Sequence, residues 1–169
     1  MNGIAYLNEL DLILDELNVK HTDVILTGSE ILAQLGIREN HDLDIILRPN
    51  VLANLSKTNK FPCRYRWRIN LSPNIELYQN HLDFIGISDK QLFTNHWFSN
   101  YDGYQIIPLE INYLMKLALT RDKDKKDLEM ILQYDPLIEE KSSVYKQPPY
   151  KIRWMKFLNL MSVKLERFW

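Results

Sequence analysis

The sequence predicts an α/β protein: a mixed sheet flanked by helices, followed by a helical C-terminal part. Three observations predict it. Short apolar runs ("VILT", "LDIIL", "IELYQ", "YQIIP") read as buried strands. Segments with apolar residues at helical spacing separate them. From about residue 109 onward the strand patterns stop and helical periodicity takes over. The 169 residues, 46% hydrophobic and 25% charged, supply the apolar mass for one core.

The elements follow in order. Ile4, Leu7, Leu10, Ile13, Leu14 and Leu17 form the apolar stripe of a first helix. "VILT" (24–27) is a buried strand. Ser29 to Leu35 is a short helix, with Gly36 as its stop. "LDIIL" (43–47) is the second strand and Pro49 ends it; "VLANLSKTN" is a helix. "RYRWRINL" alternates, with Arg64, Arg66 and Arg68 on one face and Tyr65, Trp67 and Ile69 on the other. "IELYQ" and "LDFIGIS" are expected to pair as a hairpin through a tight turn at "NH". "YQIIP" is a short strand. "LEINYLMKLALT" and "KKDLEMILQY" are helices around a charged break at "RDKD". "KQPPY" is a linker to a last amphipathic helix, Ile152 to Trp169. The natural division is a core of residues 1–112 and a helical extension of residues 113–169, packed as one compact unit.

Composition narrows the function classes. A formal net charge of −1 gives no global field for nucleic acid. The single cysteine, Cys63, excludes an internal disulfide and makes no metal site alone. The first residues lack a cationic start and carry acids among the apolar positions, which fits neither a signal peptide nor a membrane span. The expected compartment is the cytoplasm. His21, His41, His81 and His96 show no zinc spacing.

The chemistry lies in carboxylates. Asp42 and Asp44 are two apart, so on a strand they point the same way. Like charges on one face repel unless a cation sits between them, and an oxygen-rich pair suits Mg²⁺ completed by substrate phosphates. A solvated strand edge is the ordinary reading of such a pair alone. Gly28-Ser29 changes this, because a glycine between a buried strand and a helix start brings backbone N–H groups close to an anion. Ser29 also suits the cap of that helix. Glu30 runs against the pattern: an acid beside phosphate costs affinity unless it faces away, although it suits a first helical turn.

Gly28-Ser29 followed by Asp42-Leu43-Asp44 resembles the signature of the minimal, polymerase-β-like nucleotidyltransferase superfamily. "IELYQNHLDFIGI" and "FTNHWFSN" are similar to segments of lincosamide nucleotidyltransferases, and "LEINYLMKLALTRDKDKKDLEMI" to the helix-break-helix of AbiE-type toxin nucleotidyltransferases. The likeness spans Val24 to Leu132. It implies a nucleotidyltransferase fold, one or two Mg²⁺ ions and an NTP donor. It assigns Asp42, Asp44 and Asp83 as catalytic metal ligands, with Glu76 as the alternative third carboxylate. It assigns Gly28, Ser29, Lys116, Arg121 and Lys123 to the nucleotide, with Asp124 and Asp127 in matching positions. The implied reaction moves a nucleoside monophosphate to a hydroxyl of a small molecule such as an antibiotic, a tRNA end or a protein. The alternative is a non-catalytic member that binds nucleotide, nucleic acid or a partner, as in a toxin–antitoxin pair.

Two basic stretches bear on partners. Residues 57–68 interleave Lys57, Lys60, Arg64, Arg66 and Arg68 with aromatic rings. Residues 141–169 hold seven Lys or Arg against one acid, Glu166, with Tyr150, Trp154, Phe157, Phe168 and Trp169. Both suit RNA. The second suits equally a homodimer surface or a helix docked on the core, ahead of a membrane.

Overall fold

The computed structural model of the protein describes residues 4–57, 68–79 and 81–153. The first helix, α1 (Leu7–Leu17), buries Leu10 and Leu14 and stops where Asn18 turns left-handed at φ 54°. β1 (Val24–Thr27) is buried at every residue, as the interior strand of a sheet must be. α2 (Glu30–Gln34) follows, then β2 (Leu43–Leu47). Pro49 does more than end β2: it opens α3 (Pro49–Lys57), where a fixed φ and a missing N–H cost nothing.

β3 (Arg68–Asn70) and β4 (Ile75–Tyr78) pair antiparallel. Residues 64–67 of the expected "RYRWRINL" strand, Arg64 and Arg66 among them, lie outside the described residues, as does Lys60; Leu71 lies in the bend after β3. The expected hairpin partner of β4 does not form. Residues Asp83–Ile85 make a 3-10 turn closed by Gly86 at φ 80°, and the chain is buried on both sides of it at Leu82, Asp83, Ile85 and Ile87. No strand alternation survives there, because this turn packs beneath a later helix instead of extending the sheet. α4 (Asp89–Thr94) starts with a capping box between Ser88 and Gln91.

β5 (Ser99–Tyr101) and β6 (Tyr104–Ile106) form a hairpin across Asp102 and Gly103, both at positive φ. β5 was not expected from its sequence. α5 (Leu109–Leu119) is buried along most of its length, down to Asn112 and Lys116, and the 112/113 boundary falls inside it. α6 (Asp122–Tyr134) begins directly after Arg121, so "RDKD" is the first turn of a helix rather than a long break. α7 (Ile138–Ser142) follows α6, and residues 149–153 are helical. The rest of the expected C-terminal helix, residues 154–169, lies outside the described part.

The six-stranded mixed sheet has the order β3-β4-β2-β1-β6-β5, flanked by helices. β1 runs antiparallel to β2 and parallel to β6; β2 runs parallel to β4. The C-terminal end of β1 therefore meets the N-terminal ends of β2 and β4, which is where the candidate carboxylates lie. Among the described residues no helix is long and apolar enough to cross a membrane.

Candidate functional site

Register brings the acids together. Thr27 pairs with Asp44, and Asp44 pairs with Glu76 on β4. Asp42 sits one residue before β2, and its carbonyl accepts the Asn40 side-chain amide at 2.8 Å. Asn40 itself accepts the Ala5 backbone N–H at 2.9 Å, which ties this loop to the start of α1. Glu76 accepts the Tyr78 hydroxyl at 2.5 Å.

Gly28 makes the close approach possible. Its φ is +80°, and a Cβ there would lie 2.6 Å from Asp44 Oδ2 and 2.9 Å from Glu30 Oε2. Asn112 on α5 donates to the Gly28 carbonyl. Glu30 is fully buried and does not face away: its Oε1 accepts the Asp44 backbone N–H at 2.6 Å. Burial, then the Asp44 charge, push the Glu30 carboxyl well above its usual range. Burial, followed by the charges of Asp42 and Glu76, lifts Asp44 to about 7 against the pull of Lys123 and Lys116. Ser29 lines the cleft but its side chain makes no cap hydrogen bond to α2, contrary to the expected capping role.

The opposite wall is cationic. Lys116 on α5 is almost fully buried, with Nζ 2.7 Å from Asp127 and 3.5 Å from Asp124. Asp127 also takes a two-pronged grip from Arg38, at 2.7 and 3.0 Å. Arg121 grips Asp124 in the same way, at 2.6 and 3.0 Å. Burial works against both carboxylates, but the hydrogen bonds from Arg38 and Lys116 to Asp127, and from Arg121 to Asp124, hold them ionised below the usual range. Lys123 and Lys126 are exposed at the cleft rim.

Between the walls is a cleft of about 650 Å³. Phe84, Met115, Leu119 and Met130 give it an apolar side. The Tyr78 and His81 rings pack in a tilted arrangement, with centroids 4.1 Å apart and planes at 59°. Burial, then the charges of Arg121 and Lys116, push His81 down to about 4, so it is a neutral ring at pH 7.

Of the residues expected in the site, Gly28, Ser29, Asp42, Asp44, Glu76, Lys116, Arg121 and Lys123 line this one cleft. Asp83 does not: it lies in the buried 3-10 turn and is absent from the lining, so the sheet position beside Asp44 belongs to Glu76. Arg38 and Tyr78 line the cleft and were not singled out from the sequence. The signal for Arg38 was indirect, since Asp127 on the apolar face of α6 needs a cation from outside its helix.

The donor set is all oxygen on the carboxylate side. Asp44 Oδ1 and Glu30 Oε2 are buried and without a hydrogen-bond partner. This suits a hard divalent cation. Among the described residues, no group of three or more His, Cys, Asp or Glu side chains is arranged to hold a metal ion. No family model, curated protein or solved structure matches the chain.

Proposed function

We propose that the protein is a Mg²⁺-dependent nucleotidyltransferase, built on a nucleotidyltransferase fold, that moves a nucleoside monophosphate from an NTP to a hydroxyl. The observation that carries this reading is the opposition of charge across one cleft. Asp42, Asp44 and Glu76 stand on the sheet side, and Lys116, Arg121 and Lys123 on the helix side. A nucleoside triphosphate with its divalent cation presents the complement of both walls. A volume of about 650 Å³ falls within the roughly 300–1,000 Å³ of small-molecule sites.

Asp42, Asp44 and Glu76 would hold such a cation only together with phosphate oxygens of the nucleotide, since the three do not make a metal site by themselves. A divalent cation bound there supplies charge neutralisation and polarisation of the phosphate under attack. The chain's residues do the rest. Gly28 gives the backbone close approach, Ser29 offers a hydroxyl, and Lys116, Arg121 and Lys123 orient the phosphates and oppose their charge. Glu76 takes the acceptor's proton. The rings of Tyr78 and Phe84 with the Met115 and Met130 side chains offer an apolar surface for planar groups.

A second reading, nucleotide binding without transfer, draws on the ion pairs that Lys116 and Arg121 already make with Asp127 and Asp124. Thermal melts with each NTP, with and without Mg²⁺, test the main reading. A ligand at a hundred times its dissociation constant adds about 2.7 kcal/mol. The expected result is a Mg²⁺-dependent stabilisation by one NTP that disappears in the Asp42→Ala/Asp44→Ala variant. No stabilisation by any NTP refutes both readings; NTP binding with no pyrophosphate released from the NTP, whatever acceptor is offered, leaves the second.

A further inference from the structure

We propose that Tyr78 is itself a nucleotide acceptor, so that the protein modifies its own cleft. The inference rests on the nucleotidyltransfer reading above. Glu76 and Tyr78 are two apart on β4 and so point to the same face. Both line the cleft, and the Tyr78 hydroxyl donates to Glu76 Oε2 at 2.5 Å. Glu76 pairs with Asp44, so this hydroxyl is held next to the carboxylates that fit the cation. A hydroxyl hydrogen-bonded to a carboxylate is the arrangement general-base catalysis needs. Ser29, the other hydroxyl that lines the cleft, makes no hydrogen bond to a carboxylate among the described residues.

The surroundings keep the ring in place. His81 packs against it at 4.1 Å, and Arg121 lies within electrostatic reach of both Asp44 and Tyr78. Arg121 therefore opposes negative charge that develops on the phenol oxygen. In the step, the Tyr78 oxygen forms a bond to the α-phosphorus of an NTP. The bond from that phosphorus to the bridging oxygen breaks, pyrophosphate leaves, and the phenolic proton passes to Glu76 and then to solvent. The product is a tyrosyl nucleoside monophosphate diester. The attached nucleotide occupies the cleft and shuts out other acceptors.

The test uses the full chain, Mg²⁺ and each α-labelled NTP, with no added acceptor. The expected result is covalent label, an intact-mass gain of one nucleoside monophosphate, and fragmentation that assigns it to Tyr78. Tyr78→Phe loses the label. Stabilisation of the native protein by an NTP without any label, or label assigned to another residue, overturns the proposal and leaves the nucleotide site standing. Absence of both stabilisation and label overturns the proposal and the reading beneath it. The mapping is done on the native chain, so the result does not depend on the variant folding.

Discussion

Replacing Asp127 with Asn removes one charge from a buried network and almost no volume. Asp127 is 3% exposed and answers two cations, Arg38 at 2.7 Å and Lys116 at 2.7 Å. Without its charge, Lys116 keeps only Asp124 at 3.5 Å, and Asp124 is already held by Arg121. Breaking a buried pair by deleting one partner costs about 3–5 kcal/mol, chiefly because the surviving charge stays out of water. Domains of this kind are stable by roughly 5–15 kcal/mol, so the loss is a large share of the total. At about 2–4 °C per kcal/mol, the midpoint falls by about 6–20 °C. Urea and thermal melts read it directly. Asp122→Asn is the control: Asp122 pairs with Lys125 at 2.9 Å, but its side chain is 93% exposed. Such a pair contributes under about 1 kcal/mol. A loss below about 1 kcal/mol for Asp127→Asn, equal to the control, refutes the claim that the network is dry and charged. The pH dependence carries the same sign. Asp124 and Asp127 are depressed in the folded state, so their contribution is full above the unfolded value of 3.8 and is lost as pH falls through the folded values.

The carboxylate wall behaves in the opposite sense. Asp44 is raised from 3.8 to about 7, so the folded state binds its proton more tightly and stability is lost as pH rises between those values. At 1.36 kcal/mol per pH unit the full effect is about 4 kcal/mol, so Asp44→Asn melts higher than the native protein at pH 8 without Mg²⁺; equal melting would show that Asp44 is well solvated. Glu76→Gln abolishes the Mg²⁺-dependent stabilisation by NTP while Asp83→Asn keeps it, as thermal melts will read; the reverse outcome restores Asp83 as the third ligand. Gly28→Ala places a methyl 2.6 Å from Asp44 Oδ2 at a φ of +80°. It is expected to cost about 1–3 kcal/mol and to weaken nucleotide binding, measured by calorimetry.

Much of this fold is legible from residue pattern. β1, β2 and β4 are short apolar runs whose burial leaves no other element to be, and α1, α5 and α6 carry their periodicity plainly. Gly28 and the Asp42–Asp44 pair were readable because each needs a physical reason: a close backbone approach between a buried strand and a helix start, and like charges two apart. The segment 82–88 was misread for the same reason that β2 was read well. Its apolar residues satisfy a strand pattern locally, but Gly86 at φ 80° and burial beneath α5 make it a turn, and only tertiary packing reveals this. With the hairpin gone, Asp83 left the sheet. β5 was missed although Asp102-Gly103 is a strong two-residue hairpin signal; its strand, "SNY", is polar and at the sheet edge, and so lacks an apolar run. Arg38 left only an indirect trace, because its partner Asp127 is 89 residues away.

The strand order has a consequence for how the chain is made. β6, at residues 104–106, is the parallel neighbour of β1, and the cationic helices come later still. As the chain leaves the ribosome, Asp42, Asp44 and Glu76 are synthesised well before Lys116, Arg38's partner Asp127, or Arg121 exist. A nascent chain that stops near residue 100 holds the repelling acids and an open edge on β1. Closing that edge joins segments some 80 residues apart, such as Ile25 and Gln105, and distant pairing of this sort slows folding. During translation, therefore, the unfinished sheet is the vulnerable species. Chaperones and proteases meet it first, and its exposure ends when the hairpin at residues 99–106 arrives.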